Sequence, residues 1–162
     1  TIEHKGQIPR EFRHAIGNRV FGCDDCLAIC PWNKFATKAA ESKFAGPETM
    51  PALAELLELD DAAFRKFFAG SPVRRAGHVR FLRNVLVATG NSGDGKLVPL
   101  VVAHLHNDDP LVRGMAVWAL SKLTTAKQLQ ALMSDYLPDE LDEMVQAEWA
   151  EARTAYVPFE NS

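Results

Sequence analysis

Apolar positions recur at helical spacing through most of the chain. Residues 9–17 (Pro-Arg-Glu-Phe-Arg-His-Ala-Ile-Gly) predict a short helix, with Pro9 suited to its first turn and Gly17 to a left-handed C-cap. Asn18 to Pro31 reads as a loop, residues 32–50 are mixed, and Gly46-Pro47 marks a break. After the break, Leu53, Leu56, Leu57 and Leu59 form one apolar stripe. Asp60 is placed to cap a helix over 61–69, with Phe64, Phe67 and Phe68 inward and Gly70 as the stop. Ser71-Pro72 opens a helix running to about Thr89, ended by Gly90-Asn91-Ser92-Gly93. Further helices fit 94–106, 110–123, 126–136 and 139–156. No stretch sustains period-two alternation, so no sheet is expected in this part.

The helical part repeats itself. Ser71-Pro72-Val73-Arg74-Arg75-Ala76-Gly77 can be laid over Asp109-Pro110-Leu111-Val112-Arg113-Gly114-Met115, an offset of 38. In that register Arg75 falls on Arg113, Val79 on Val117 and Leu82 on Leu120. Helix pairs at a period near ~40 are the signature of HEAT-type repeats, in which each pair covers its neighbour's apolar face and the stack leaves a concave surface for a large ligand. The expected fold class is therefore mainly α, a HEAT-like helical repeat domain over 47–162 preceded by a separate cysteine-bearing segment over 1–46.

Composition agrees with a globular chain. It has 162 residues, 47% hydrophobic and 24% charged. No apolar run approaches the ~18 residues of a membrane span, and no secretory leader is visible. A start at Thr1, followed at once by dense motifs, points to a piece of a longer protein. The net charge of −3 excludes a uniformly basic nucleic-acid binder but hides an asymmetry. Residues 71–83 carry Arg74, Arg75, Arg80 and Arg83 and no acid. From Asp135 onward acids dominate, and this end reads as a solvated helix face.

The chemistry is concentrated in Cys23-Asp-Asp-Cys26-Leu-Ala-Ile-Cys30-Pro31. Three closely spaced cysteines make a poor disulfide framework, and without a leader they point to the cytoplasm and to metal or redox work. Cys26-x3-Cys30-Pro31 reproduces the end of the bacterial ferredoxin run, whose last Cys ligates the other of two clusters, and Cys23-x2-Cys26 supplies its C-x2-C part. Zinc held by the three thiols with His14 or His4 is a competing reading, as is a thioredoxin-type C-x2-C, although no strand precedes it. Iron–sulfur is favoured, yet three thiols cannot complete one cube, so further ligands must lie elsewhere.

Ile8-Pro9-Arg10-Glu11-Phe12-Arg13, Gly17-Asn18-Arg19-Val20-Phe21-Gly22-Cys23-Asp24-Asp25-Cys26, Ile29-Cys30-Pro31-Trp32-Asn33-Lys34-Phe35 and Gly70-Ser71-Pro72-Val73-Arg74-Arg75-Ala76-Gly77-His78-Val79-Arg80-Phe81-Leu82-Arg83-Asn84 together closely resemble epoxyqueuosine reductase. The resemblance covers residues 2–106 well and the rest by repeat character. It implies the C-terminal part of a ferredoxin-like domain over 1–46 and a tRNA-holding HEAT-like domain over 47–162. It further implies an oxidoreductase of queuosine biosynthesis that reduces epoxyqueuosine at the tRNA wobble position, with cobalamin and two 4Fe-4S clusters as cofactors. By the same resemblance Cys23 and Cys26 sit on one cube and Cys30 on the other. The remaining ligands, the catalytic acid and most of the cobalamin pocket would lie upstream, so the piece alone is expected to be inactive. A cytoplasmic monomer, met by the tRNA anticodon stem-loop and by an electron donor, is the corresponding expectation for partners.

Individual residues are read against plainer roles. Asp24 and Asp25 are candidates to lower a cluster's potential or to face cobalamin, against a solvated turn. Trp32 is a candidate to shield the cluster or pack on the cofactor, against plain packing between domains. Arg74, Arg75, Arg80 and Arg83 cannot all face one phosphate row from one helix. Half are expected on the tRNA backbone, where Arg makes bidentate phosphate bonds, and the others between repeats, with Arg113 raising the structural case for Arg75. Lys34 and Lys38 are weaker phosphate candidates, and His104 and His106 read as ordinary repeat residues. The alternative from another class is a non-catalytic helical-repeat binding module with a zinc or reduced-thiol loop.

Overall fold

Side-chain caps mark where the helices start. In the computed structural model, which describes residues 2–23, 25–35 and 51–154, the elements are α1 (Arg10–Ile16), α2 (Asp25–Ala28), α3 (Leu53–Leu57), α4 (Asp61–Phe67), α5 (His78–Ser92), α6 (Val98–Ala103), α7 (Pro110–Leu123), α8 (Ala126–Tyr136) and α9 (Glu143–Thr154). Short 3-10 turns at Pro31–Phe35, Pro72–Ala76, Gly95–Leu97, His104–His106 and Leu137–Asp139 link them. Asp60 Oδ1 accepts from the Ala63 N–H at 2.7 Å, and Asp109 Oδ1 from the Leu111 N–H at 2.9 Å. Thr125 and Gln128 form a reciprocal capping box at the start of α8. Among the described residues there is no strand.

Helix α7 packs between α5 and α9, with α6 and α8 as the outer members of the pairs. The shared core takes Phe81, Leu82, Val85 and Leu86 from α5, Val112, Met115, Ala116 and Leu120 from α7, and Val145, Trp149 and Ala152 from α9. Each large apolar side chain buried this way contributes roughly 1.5–3 kcal/mol.

Several sequence expectations change. The stretch read as a loop over 18–31 carries α2, the helix read over 94–106 is α6 between two 3-10 turns, and the last helix starts at Glu143 rather than 139. The helix read from 72 to 89 is two pieces: a 3-10 turn stops at Gly77, whose φ of +77° a side chain would strain, and α5 starts afresh at His78. Gly90 does not end the helix. It lies buried inside α5, where an added Cβ would come within 2.6 Å of Trp118 Cζ3 and 3.1 Å of Ala119 Cα, so its bareness lets α5 and α7 approach. The left-handed cap is Gly93. Phe64 and Phe68, four apart, face the core, but Phe67 is rotated off that face and is 55% exposed. The acidic end is not simply solvated: Glu140 and Glu148 both turn inward onto arginines. The expected boundary at Gly46-Pro47 lies outside the described residues, as do Lys38, Asp24 and residues 155–162.

Candidate functional site

One face of α5 holds the backbone of the cysteine-bearing segment. Arg83 Nη1 donates to the carbonyls of His4 at 2.6 Å and Gly6 at 2.7 Å. Asn84 Nδ2 donates to the Val20 carbonyl at 2.7 Å. Asn91 Nδ2 donates to those of Arg13 at 2.7 Å and Gly17 at 2.9 Å. Positions 80, 84 and 91 recur at helical spacing, so a single polar stripe answers carbonyls on both sides of α1. From the opposite flank, Arg13 meets Glu148 of α9, and Gln7 and Arg10 converge on the same carboxylate. Arg13 also lies over the Trp118 ring at 5.6 Å. These charges are buried but satisfied, as buried charges must be.

The segment then leads into the thiols. Cys23 and Cys26 are exposed and Cys30 is half-buried; all three are unbridged. Cys26 sits inside the first turn of α2. A cavity of about 560 Å³ opens beside Cys23, walled by Phe12, Ile16, Arg19 and Asp25 among others. Arg19, on its wall, donates to the Ala15 carbonyl and to Asp25 Oδ1, each at 3.3 Å. Among the described residues, no three His, Cys, Asp or Glu side chains converge to hold a metal ion, so the arrangement of three thiols with His4 or His14 is not preformed. His4 instead bonds the Gln7 carbonyl at 2.8 Å.

Trp32 is 72% exposed, in tilted contact with Phe35 at 5.6 Å. Lys34 is exposed and lies over the Phe35 ring.

The four arginines part company. Arg74 and Arg75 are exposed, and their side chains make no hydrogen bond or ion pair among the described residues. Arg80 is half-buried and donates to the carbonyls of Arg75 at 3.1 Å and Ile2 at 3.4 Å. Arg83 is fully buried, which removes it from any RNA-facing set; burial, with Arg80 nearby, pushes its guanidinium down to about 10, so it stays cationic at neutral pH. The expected likeness of Arg75 to Arg113 also fails. Arg113 makes a paired bond to Glu140, both at 2.8 Å, and donates to the carbonyl five residues back, at Asp108. Arg80 repeats that last contact onto Arg75, so Arg80 is its counterpart. The reason is the break at Gly77, which delays α5 relative to α7.

His104 is half-buried against the Leu57 carbonyl at 3.0 Å, as a repeat residue, and His78 meets the Leu59 carbonyl at 2.6 Å. His106 makes a tilted ring contact with Tyr136 at 5.2 Å. Sequence reasoning missed Arg13, Arg19, Asn84, Asn91 and Glu148. Each lay in a stretch read for helix or motif, and their pairing spans up to 141 residues, which local pattern cannot show.

Comparison with known proteins agrees with both halves. Residues 1–33 match the family described as a 4Fe-4S double cluster binding domain, and residues 73–152 match HEAT repeats. An epoxyqueuosine reductase from Xanthomonas campestris is 45% identical over 125 residues, 75% of this chain and 35% of that protein. One from Escherichia coli K12 is 39% identical over 124 residues, 75% of this chain and 33% of that protein. A crystal structure of selenomethionine-labelled epoxyqueuosine reductase superposes with a TM-score of 0.85 at 28% identity, covering 95% of this chain and 42% of that one. Another, with an epoxyqueuosine-modified tRNA-Tyr stem loop, superposes with a TM-score of 0.84 at 28% identity, covering 93% and 41%. The chain spans about a third of the length of the curated relatives it matches.

Proposed function

We propose that this chain, a homologue of part of epoxyqueuosine reductase, is the portion of such an enzyme that joins iron–sulfur ligands to a tRNA-holding helical repeat. The whole enzyme's reaction is reduction of the epoxide of epoxyqueuosine to queuosine at the tRNA wobble position. The observation that carries the reading is the clamp between the two halves: α5 and α9 bind the cysteine segment through Arg83, Asn84, Asn91 and Glu148. A module that only bound RNA would have no need to fix a thiol loop in this way.

The donor set fits an iron–sulfur group. Three unbridged thiols, soft ligands in ferredoxin-like spacing, follow a segment whose carbonyls are held by α5, and Cys23 lines a cavity rather than a packed core. Cys23 and Cys26 would hold one cluster and Cys30 a second, completed by ligands from elsewhere in the enzyme. When bound, such clusters supply single electrons. Cobalamin, an external electron donor and a cytoplasmic, monomeric enzyme complete the reading. The chain's own residues do the positioning: Arg13, Asn84 and Asn91 hold the loop, and Asp25 is tied back by Arg19. Arg74 and Arg75, with Lys34, are the exposed cations left to meet tRNA phosphate, and Arg80 is a secondary candidate. The tRNA stem loop in a homologous structure supports that role. Without the remaining ligands the piece alone is inactive.

The test is anaerobic preparation of the full-length protein, with iron, sulfide and zinc assayed. Iron and sulfide in the amounts two cubes require, lost when Cys23, Cys26 or Cys30 is replaced by Ser, are expected. Stoichiometric zinc without sulfide would overturn the proposal and favour a zinc-stapled binding module.

A further inference from the structure

We infer that Arg19 is a positioning residue that sets the charge felt by the group held at Cys23 and Cys26, and that it does so by neutralising Asp25. The inference rests on the iron–sulfur reading above. Arg19 follows Gly17, which turns the chain out of α1, and its guanidinium reaches back to the Ala15 carbonyl and forward to Asp25. It thereby ties the stretch of chain entering Cys23 to the first turn of α2, which carries Cys26. Arg19, Cys23 and Asp25 line the same cavity.

As a surface ion pair, 42% and 62% exposed, Arg19–Asp25 contributes little to stability. Its position is better accounted for by its field. A thiolate-ligated cube carries net negative charge, and adding one electron makes it more negative, with no bond formed or broken. A cation beside it favours that electron, and a bare carboxylate opposes it. Net charge is among the properties that set such potentials. With Arg19 in place the charge of Asp25 is offset and Glu3 is the remaining carboxylate of the cavity wall; without Arg19 both carboxylates stand uncompensated.

The experiment uses the full-length enzyme, reduced anaerobically with dithionite at a series of fixed potentials and followed by electron paramagnetic resonance. Arg19→Gln is expected to make reduction of one cluster about tenfold less favourable, ~59 mV more negative for one electron. Arg19→Lys keeps the charge and should leave the potential near the parent value. Adding Asp25→Asn to Arg19→Gln should return it most of the way. The second cluster serves as the internal control and should not move. An unchanged potential in Arg19→Gln, or an equal shift in Arg19→Lys, overturns the inference while leaving the iron–sulfur reading intact. Absence of any cluster in the parent protein overturns both.

Discussion

Arg13 and Glu148 are 135 residues apart in sequence and face each other through two hydrogen bonds, of 2.7 and 3.1 Å, with 1% and 4% of their side chains exposed. Arg10 and Gln7 reach the same carboxylate. Helix α1 is thus fastened at a single acid on the last described helix, while α5 fastens its other side. The segment that ends in the thiols has its orientation set by the repeat stack, not by its own small core.

Removing that acid should be costly. Glu148→Ala leaves the Arg13 guanidinium buried beside Trp118 without its counter-ion, and losing one partner of a buried pair costs about 3–5 kcal/mol. Arg10 is half-exposed, so Arg10→Ala should cost no more than about 1 kcal/mol. Urea unfolding of the two variants measures the difference; equal losses would mean that the charge on Glu148 is not held by Arg13.

Gly90→Ala is a sharper probe of the α5–α7 contact. In an open helix alanine is preferred to glycine by roughly 1 kcal/mol. Here the new Cβ would meet Trp118 Cζ3 at 2.6 Å, and overpacking of this kind costs about 1–3 kcal/mol. A net loss in the urea midpoint is expected, and a gain would show that the helices do not approach as closely as described.

Much of this architecture is legible in local pattern. Asp60, Asp109 and the Thr125–Gln128 pair announce their helix starts, because a cap needs only a residue and its near neighbours. The thiol spacing likewise carries its own chemistry. Arg83 and Gly90 were opaque for the opposite reason. Arg83 stands among three other arginines, and only its depth, set by carbonyls at positions 4 and 6, separates a structural cation from exposed ones. Gly90 sits in a Gly-Asn-Ser-Gly run that reads as a terminator, and only the approach of Trp118 from another helix shows its use.

The exposed and buried arginines predict separable effects on RNA binding. In the full-length enzyme, Arg74→Ala and Arg75→Ala should weaken binding of a tRNA anticodon stem-loop. For every phosphate that loses its cation, the dependence of log affinity on log salt should flatten by about 0.7 to 0.9. Arg83→Met should lower thermal stability, because it strands two carbonyls, and leave the salt slope unchanged below its melting temperature. Anisotropy measured across salt concentrations checks both. A flattened slope in Arg83→Met, with none in the other two, would reverse the assignment.

Acidification should act through His104. Burial holds its ring below the ordinary value of 6.5, with the charge on His78 pushing the same way and the Leu57 carbonyl opposing. The unfolded chain therefore binds a proton more readily than the folded one. Its contribution is fully present above about pH 6.5 and is lost as pH falls through the depressed folded value. His104→Gln can still donate to the Leu57 carbonyl but cannot titrate. The variant should lose less stability than the parent between about pH 7.5 and about pH 5.5, read from urea midpoints at each pH. His78 faces Phe64 and the Leu59 carbonyl and its charge acts on His104, so His78→Gln is the companion measurement. If only the His78 variant flattens the profile, the acid sensitivity belongs to the α4–α5 contact and not to His104.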